Sequence, residues 1–279
     1  MKLTVCILTA GLGSRMGKRG NILNKALFSV DNKPIITHII EKFPSNTEFV
    51  IALGYKGKQV KSFLKLFHPK NKFIFVNIKK FIGNQSGPGL SLLSCRKYLK
   101  KKFIFVSCDT LWNNKISFEN NGNWVGTAKV NKNISSDYCN FSINKKKIQQ
   151  INNKKKYHSN QDESFVGLMQ INNWEVFFSD LKKNYKKNFQ VYSGFETLIK
   201  NKMLEKKSIK WIDLGTEKKY KSYINTIQKY DFSKSEEITY FNKSKVIKFN
   251  SSRKTQLNRY KKYTMNTSVF PKNVKINSN

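Results

Sequence analysis

The sequence predicts an α/β protein with a doubly wound, mostly parallel mixed sheet and a small C-terminal β-hairpin extension. The prediction rests on buried-strand patterns, on helical patterns between them, and on their regular alternation. The strand patterns are short apolar runs rich in β-branched and aromatic residues, at residues 3–9, 48–54, 73–78 and 103–107. The helical patterns lie around residues 34–43, 57–67 and 89–100. In such a sheet, ligands bind at the carboxyl ends of the strands.

From residue 122 onward the patterns become shorter and more mixed. Strand-like segments occupy residues 124–130, 138–143, 147–151 and 164–171. We interpret them as a mixed continuation of the sheet. Helical spacing returns at residues 172–186 and 193–206. Residues 208–216 then predict a strand that enters a turn, followed by a last helix that ends near residue 229.

The chain is strongly basic, with 53 lysines and arginines against 17 aspartates and glutamates and a formal net charge of +36. Lysine supplies nearly all of this charge and is spread along the chain, whereas a specific nucleic-acid site concentrates arginine and aromatic residues on one face. We therefore expect no specific nucleic-acid partner. No apolar run is long enough to span a membrane, and the cysteines lack metal-site spacing. We expect a cytoplasmic protein without a membrane partner.

The most informative motif follows the first predicted strand. This strand leads into Gly11 and Gly13, Arg15 comes two residues later, and Lys25 lies ten residues beyond Arg15. Glycines let backbone N–H groups approach a polyphosphate, and the two cations supply counter-charge. The alternative is an ordinary strand–turn in which the glycines serve only the tight turn.

This motif, continued by Lys-Pro-Ile-Ile at residues 33–36, resembles the signature of the nucleotidylyltransferases that activate sugar 1-phosphates, phosphocholine and similar metabolites. The MobA-like NTP transferases belong to this group. The resemblance implies that Arg15 and Lys25 are catalytic. It also implies that Ala10, Gly11 and Gly13 bind the nucleotide.

The resemblance covers residues 1–229 and implies a Rossmann-like, GT-A-like nucleotidyltransferase domain there. Residues 230–279 form a C-terminal extension, within which residues 237–249 alternate around a central turn and predict a β-hairpin. This extension resembles the first hairpin of a kinase-like phosphotransferase domain but is too short to form one. We interpret it as a remnant or a docking element.

The loop departs from the family pattern at three positions. Where the family usually has proline, threonine and a second proline, this chain has Lys18, Gly20 and Asn24. Because proline fixes φ and stiffens a loop, these departures predict a loop that is more mobile until nucleotide binds.

Two aspartates match the family's metal positions. Asp109 ends the fourth predicted strand, and Asp213 precedes Gly215 and Thr216, with Tyr220 in the following helix. A carboxylate at the end of a central strand suits a metal better than a core, and Mg²⁺ takes one or two carboxylates together with phosphates. The resemblance implies that both aspartates hold Mg²⁺. The alternative for each is an N-cap or turn aspartate.

The loop at residues 83–91 lies between the third predicted strand and a helix. The family reads the nucleobase in this loop, which makes Gln85 and Gly89 the candidates for base recognition. Because amides pair with either cytosine or uracil edges, the identity of the base stays open. The alternative is a plain loop-to-helix turn.

The acceptor site carries the weakest pattern. The family often uses a glycine on a late strand and a lysine at an earlier strand end, which implies Gly167 and a member of the lysine run 154–156, with Lys154 as the candidate. Glu196 is a candidate for the polar end of the acceptor. The alternatives are a solvated lysine run and a surface carboxylate.

Taken together, the motifs and the resemblance that they carry imply an enzyme that transfers a nucleoside monophosphate, with CTP favoured, to a phosphorylated metabolite such as phosphocholine or a sugar phosphate. Its partners are then an NTP and that acceptor, with a homo-oligomer left open. The family branch further implies a role in capsule or cell-surface polysaccharide synthesis. The alternatives are a UTP-dependent sugar-1-phosphate uridylyltransferase and a catalytically silent regulatory relative.

Overall fold

The computed structural model describes residues 3–83, 85–118, 122–227, 236–242 and 245–251. Two compact units separate within them. The first comprises the described residues up to Phe28 and those from Pro34 to Tyr220, and the second comprises Ser29–Lys33 with the described residues from Lys221 onward. The predicted domain boundary between residues 229 and 230 falls outside the described residues.

The regular elements follow in chain order. The strands are β1 (Thr4–Leu8), β2 (Ser29–Val30), β3 (Lys33–Pro34), β4 (Glu48–Leu53), β5 (Lys72–Asn77), β6 (Phe103–Ser107), β7 (Thr110–Trp112), β8 (Asn123–Ala128), β9 (Cys139–Asn144), β10 (Lys147–Asn153), β11 (Glu163–Ile171), β12 (Leu204–Ser208), β13 (Trp211–Asp213), β14 (Glu236–Asn242) and β15 (Lys245–Ser251). The helices are α1 (Gly17–Gly20), α2 (Ile35–Ile40), α3 (Gly57–Phe67), α4 (Pro88–Cys95), α5 (Trp174–Asn188), α6 (Glu196–Lys200) and α7 (Glu217–Ile227).

The first unit is built on one mixed sheet with the strand order β5-β4-β1-β6-β11-β8-β12-β10-β9. The four strands β5, β4, β1 and β6 are parallel to one another. Every residue of β1 and β4 is buried, as expected for strands that are covered on both faces. The four predicted strands of this half are therefore confirmed, and their carboxyl ends lie at one edge of the sheet.

The helices between these strands bury one stripe each. In α3, Val60 and Leu64 are fully buried while the lysines between and beyond them are exposed, which is the spacing of an amphipathic helix. Pro88 begins α4, where its missing N–H leaves no hydrogen bond unmade. The predicted helices at residues 34–43, 57–67 and 89–100 are confirmed, the last as α4 followed by the 3₁₀ turn Arg96–Tyr98.

The other half of the sheet is mixed, as predicted. β11 runs antiparallel to both β6 and β8, and β9 and β10 form an antiparallel pair at the far edge. The predicted helix at residues 193–206 is wrong in its second half, because β12 begins at Leu204 and pairs in parallel with β8. β12 carries a single apolar residue in Leu-Glu-Lys-Lys-Ser. The sequence of β12 does not alternate between apolar and polar residues, so its strand conformation comes from pairing with β8.

A second, two-stranded sheet positions the site. β7 follows directly after β6, and β13 pairs with it so that Asp213 lies opposite Thr110. The amide of Leu214 also donates to the carbonyl oxygen of Asp109 over 3.0 Å. This pairing brings the two predicted metal aspartates together although about a hundred residues separate them in the chain.

The second unit includes the antiparallel hairpin of β14 and β15, with Glu236 opposite Ser251. The predicted hairpin at residues 237–249 is therefore confirmed. Among the described residues, no helix combines the length and apolar character needed to cross a bilayer.

Gly167 marks an irregularity in β11 next to Asp109. The register of β11 against β8 shifts between Phe165 and Met169, and Gly167 adopts a φ of +78°. A side-chain carbon at this position would lie 2.7 Å from Ser107 Oγ and 3.0 Å from Thr110 Oγ1. Both the conformation and the space therefore require glycine.

Gly167→Ala is expected to lower the free energy of unfolding by about 1–3 kcal/mol, because strain and crowding act together. Urea unfolding followed by circular dichroism measures the change. Gly11→Ala is the matched control, since a side-chain carbon there meets no atom within 4 Å and its stability should equal that of the parent chain or slightly exceed it. Equal stability of the two variants would contradict the constraint on Gly167.

Candidate active site

The first predicted loop begins at the carboxyl end of β1. Ala10 is buried, and its carbonyl oxygen accepts a hydrogen bond of 2.9 Å from the amide of Tyr55. A side-chain carbon on Gly54 would lie 2.5 Å from that same oxygen. The ends of β1 and β4 thus meet closely, and Ala10 serves this junction through its backbone.

Gly11, Gly13 and Arg15 lie at the exposed side of the loop. The surroundings of Gly11 are open, and Gly13 has a φ of +66° at the start of the 3₁₀ turn Ser14–Met16. The turn is closed by the Met16 amide, which donates to the Gly13 carbonyl oxygen over 2.8 Å. Arg15 is exposed, and its charge contributes to a lowered pKa of Asp109. Loop and aspartate are therefore close enough to interact electrostatically.

Lys25 connects this loop to both aspartate segments. Its Nζ lies 2.7 Å from Asp109 Oδ2 and donates a second hydrogen bond of 3.0 Å to the carbonyl oxygen of Gly215. Only 9% of Lys25 is exposed. Burial raises the pKa of Asp109, but the attraction and hydrogen bond of Lys25 outweigh burial, so that the pKa lies below its ordinary value. Asp109 is ionised at neutral pH.

Asn24 holds Lys25 in place. Its side-chain Nδ2 donates to the carbonyl oxygens of Thr9 (3.0 Å) and Tyr55 (2.7 Å), and its Oδ1 accepts from the Ala26 amide (3.0 Å). Its own amide donates to Gln59 Oε1 over 3.0 Å. The side chain is buried. This end of the loop is therefore tied to β1 and to the start of α3 in the place where the resembled family has proline.

Asp213 has a different set of partners. Oδ2 accepts hydrogen bonds from the Tyr138 hydroxyl (2.8 Å) and from Lys219 Nζ (2.7 Å), and Oδ1 accepts from the Gly215 amide (2.7 Å). Burial opposes the charge of Lys219, but the hydrogen bond to Asp213 prevails and raises the pKa of Lys219. Burial also raises the pKa of Tyr138, which keeps its hydroxyl protonated as a donor.

The first turn of α7 contacts the loop as well as Asp213. A side-chain carbon on Gly17, which has a φ of +59°, would collide with the carboxylate of Glu217. The guanidinium of Arg19 lies 5.7 Å from the ring centre of Tyr220. Lys219 from the same turn binds Asp213. One helical turn therefore spans from the glycine-rich loop to the second aspartate.

Gly215 lies close to both carboxylates. A side-chain carbon built there would lie 2.8 Å from Asp213 Oδ1 and 3.8 Å from Asp109 Oδ2. The two carboxylates therefore lie near one another, and carboxylate oxygens are the hard ligands that Mg²⁺ prefers. Within the described part of the chain, no group of three or more histidine, cysteine, aspartate or glutamate side chains is arranged around a metal position.

Of the predicted base-binding residues, Gln85 lies in the turn between β5 and α4, and Gly89 lies in the first turn of α4. Gln85 is exposed there, at the same edge of the sheet as Gly11. Gly89 is buried, and its amide donates to the carbonyl oxygen of Phe189 over 2.8 Å. A side-chain carbon on Gly89 would lie 2.6 Å from the Gln190 carbonyl oxygen. Gly89 therefore has a packing role of its own, and Gln85 presents an exposed amide in the preceding turn.

The three predicted acceptor residues lie in different surroundings. Gly167 packs against Ser107 and Thr110, which flank Asp109 in the chain. Lys154 is exposed, and its amide donates to the carbonyl oxygen of Tyr138 over 2.9 Å. Tyr138, in turn, donates its hydroxyl to Asp213. Glu196 begins α6 and accepts a hydrogen bond of 2.6 Å from Asn184 on α5. That contact is a helix–helix contact.

Cys108 directly precedes Asp109 in the chain. Burial raises the pKa of its thiol to about 12, so the thiol stays protonated at neutral pH. Cys6 and Cys95 are completely buried, where a free cysteine packs as a small apolar side chain.

Sequence reasoning missed three contributors: Asn24 as an anchor, and Tyr138 and Lys219 as partners of Asp213. The sequence offers one signal for Lys219, which is its position in the first helical turn after the second aspartate motif. Tyr138 precedes β9, and nothing in the sequence connects it to residue 213. Its role follows from tertiary structure alone.

Asn24→Ala and Asn24→Pro test the anchor. Both substitutions leave the buried carbonyl oxygens of Thr9 and Tyr55 without their donor, so the free energy of unfolding should fall by about 2–3 kcal/mol. Proline suits the φ of −61° at this position, yet it also removes the amide that donates to Gln59. Urea unfolding should therefore show no rescue by proline, and a proline variant as stable as the parent would contradict the anchor.

Comparison with known proteins finds a similarity in the N-terminal part. Residues 5–116 match the MobA-like NTP transferase domain. The Bifunctional protein GlmU of Methanococcus maripaludis is 24% identical over 215 residues, which cover 75% of this chain and 50% of the relative. The chain spans half or less of the length of the curated relatives it matches.

Solved structures share the fold. A UDP-glucose pyrophosphorylase complexed with UDP-glucose has a TM-score of 0.67 at 17% identity, over 82% of this chain and 99% of that chain. The CTP:phosphocholine cytidylyltransferase from Streptococcus pneumoniae has a TM-score of 0.63 at 16% identity, over 82% of this chain and all of that chain. These neighbours have the GT-A-like fold. The chain therefore shares the fold of these solved structures, and its residues 5–116 are similar to the MobA-like NTP transferase domain.

Proposed function

We propose that this protein is a Mg²⁺-dependent nucleotidylyltransferase that joins the nucleoside monophosphate of an NTP to a phosphorylated small metabolite and releases pyrophosphate. The observation that carries the proposal is the contact of Lys25 with Asp109 and Gly215. It places a buried cation between the glycine-rich loop and the two converging carboxylates. Arrangements of this kind suit a reaction between two polyanions.

The chemistry needs positioning more than proton transfer. A phosphate monoester has its second pKa near about 6, so the acceptor is largely a dianion at neutral pH and can attack the α-phosphorus directly. Its oxygen forms the new P–O bond while the bond to the β-phosphate breaks and pyrophosphate leaves with the electron pair. The protein has to hold both phosphates close together and balance their charge.

The residues of the loop suit the triphosphate. Gly11 and Gly13 allow the backbone to approach phosphate oxygens, and Arg15 and Lys25 supply positive charge beside them. Lys25 is held by Asn24 at a fixed place. We expect these groups to bind the NTP and to stabilise the departing pyrophosphate.

Asp109 and Asp213 are the residues that would hold the magnesium ion. When bound, Mg²⁺ neutralises phosphate oxygens and polarises the phosphorus under attack. The closeness of both carboxylates to Gly215 supports this assignment. Two protein ligands are sufficient because Mg²⁺ retains waters and takes phosphate oxygens as further ligands.

CTP is our first choice of nucleotide, on the resemblance of the N-terminal half and the C-terminal extension to the phosphocholine cytidylyltransferase-like branch. A UTP-dependent uridylyltransferase acting on a sugar 1-phosphate is the second candidate, since a UDP-glucose pyrophosphorylase is among the structural neighbours. A silent regulatory relative is disfavoured by the intact set of Lys25, Asp109 and Asp213. The cytoplasmic location, the role in cell-surface polysaccharide synthesis and the homo-oligomer stay predictions.

The decisive experiment is a pyrophosphate-release screen of the four NTPs against phosphocholine, sugar 1-phosphates and related phosphate monoesters, with and without Mg²⁺. The proposal expects release that depends on one NTP, one acceptor class and the cation. NTP binding without turnover for any pair would support the regulatory alternative. Binding that requires only low salt would indicate the non-specific attraction of a basic protein.

Asp109→Asn and Asp213→Asn should each lower kcat by about a hundred- to a thousandfold, the scale of losing one preorganised electrostatic group of about 2.7–4 kcal/mol. Because both act through one ion, the double variant should be little worse than either single variant. Turnover with the best substrate pair measures the effect, and circular dichroism checks folding. Near-normal Mg²⁺-dependent turnover in a single variant would disprove the metal assignment.

Gln85→Ala should raise the KM for the preferred NTP, or change the preference among NTPs, with little effect on kcat at saturation. The reason is that an exposed amide which contacts only the base contributes equally to ground and transition states. Ser86→Ala in the same turn is the control. An unchanged KM and NTP profile in Gln85→Ala would place base recognition elsewhere.

A further inference from the structure

We propose that Lys219, held in position by Tyr138, is a resident counter-ion of Asp213 that competes with the divalent cation for this carboxylate. The inference rests on the proposed function in one respect, which is that Asp213 is a cation ligand. It assigns to Lys219 a role in setting how much cation the protein requires.

The geometry places the ammonium directly on the carboxylate. Lys219 Nζ lies 2.7 Å from Asp213 Oδ2, and the Tyr138 hydroxyl donates to the same oxygen over 2.8 Å. The other oxygen, Oδ1, accepts the Gly215 amide over 2.7 Å. Both oxygens of Asp213 are therefore engaged by donors. A cation that binds here has to share or replace the donors of Oδ2.

Lys219 is held at this place by more than one contact. Its Nζ contacts the Tyr138 hydroxyl and lies 4.4 Å from the centre of the Tyr138 ring. That ring packs edge-to-face on Trp211 with centroids 5.4 Å apart. The Lys219 side chain is 28% exposed and that of Asp213 is 17% exposed. The pair is thus shielded enough to persist and open enough for an ion to reach it.

The charges explain why the ammonium is displaceable. Asp109 is paired with Lys25, and Asp213 is paired with Lys219, so two carboxylates face two ammoniums. One divalent cation carries the charge of both ammoniums and can take their place at the carboxylates. Lys25 keeps the Gly215 carbonyl oxygen as a further partner. If the Lys219 ammonium leaves Asp213, the partners that remain to it among the described residues are the hydroxyl and the ring of Tyr138.

A purely structural role for Lys219 leads to the opposite expectation. If the lysine merely fastens α7 to β13, its loss should loosen Asp213 and weaken cation binding. If it is a competing counter-ion, its loss should strengthen cation binding, because the carboxylate then has no positive neighbour at 2.7 Å. The sign of the change therefore separates the two roles.

The experiment is a titration of the full chain with Mn²⁺ in place of Mg²⁺, with free Mn²⁺ measured by electron paramagnetic resonance. Nucleotide is left out because triphosphates bind Mn²⁺ themselves. Lys219→Met removes the counter-ion and keeps most of the apolar stem. Lys218→Met is the matched control. Lys218 is exposed and precedes Lys219 on the same helix, so the substitution removes one positive charge without touching the Asp213 pair. Asp213→Asn tests the cation site itself.

We expect Lys219→Met to lower the Kd for Mn²⁺ by about fivefold. This is the factor by which a partly exposed ion pair favours its paired state, and the cation no longer has to compete with that pair. Lys218→Met should bind like the parent chain, which separates the local effect from the general loss of one positive charge. Asp213→Asn should weaken binding. Should Lys219→Met fail to fold, Lys219→Gln makes the same test with a neutral polar side chain.

The outcomes for the two proposals differ. An unchanged or higher Kd in a folded Lys219 variant, with Asp213→Asn still weakened, would overturn the counter-ion role and leave the proposed function intact. Equal tightening by Lys218→Met would also overturn it. Binding by Asp213→Asn that equals the parent would overturn the cation site on which both proposals stand. No binding by any chain would overturn the counter-ion role alone, because the proposed function supplies phosphate oxygens as further ligands.

Discussion

The ion pair between Lys25 and Asp109 is the interaction on which the rest of the site depends. It joins segments that are 84 residues apart, and the second hydrogen bond of Lys25, to Gly215, spans 190 residues. A charge pair that is largely removed from water has a desolvation cost, and the loss of one partner would leave the other unpaired. Two well-packed apolar residues in place of Lys25 and Asp109 would stabilise the fold to an equal or greater extent. We interpret the pair as retained for the charges it presents to phosphates.

The same physics explains the second pair. Two carboxylates that converge on one glycine repel each other unless positive charge lies close by. Lys25 and Lys219 provide that charge, each at 2.7 Å from its aspartate. The centre is therefore balanced locally, although the chain as a whole carries a net charge of +36. Long-range attraction brings polyanions towards the protein, and the local arrangement decides where they bind.

Much of the parallel half of the sheet could be predicted because its strands are continuous apolar runs, such as Val5–Leu8 within β1 and Phe103–Val106 within β6. The loop with Gly11 and the two aspartates could be placed because strand ends share one edge. β12 could not be predicted, since Leu204 is its one apolar residue and its neighbour β8 determines its conformation. Tyr138 and Asn24 were missed for a related reason: their partners lie far away in the chain.

The loop from Gly11 to Lys25 shows how one geometry can be held by different physics. Proline stiffens a loop in every state of the chain because it restricts the unfolded ensemble as well. Asn24 acts only in the folded state, through the carbonyl oxygens of Thr9 and Tyr55. The position of Lys25 is therefore coupled to the junction of β1 and β4.

A second coupling runs through α7. Its first turn places Glu217 against Gly17, Tyr220 near Arg19, and Lys219 on Asp213. A shift of the loop therefore changes the environment of the second aspartate through one rigid turn. The proposed function has nucleotide bind this loop, and we therefore expect nucleotide binding to act on the contacts of Asp213 through α7. Binding at the loop and release of Lys219 would then be coupled through this one turn.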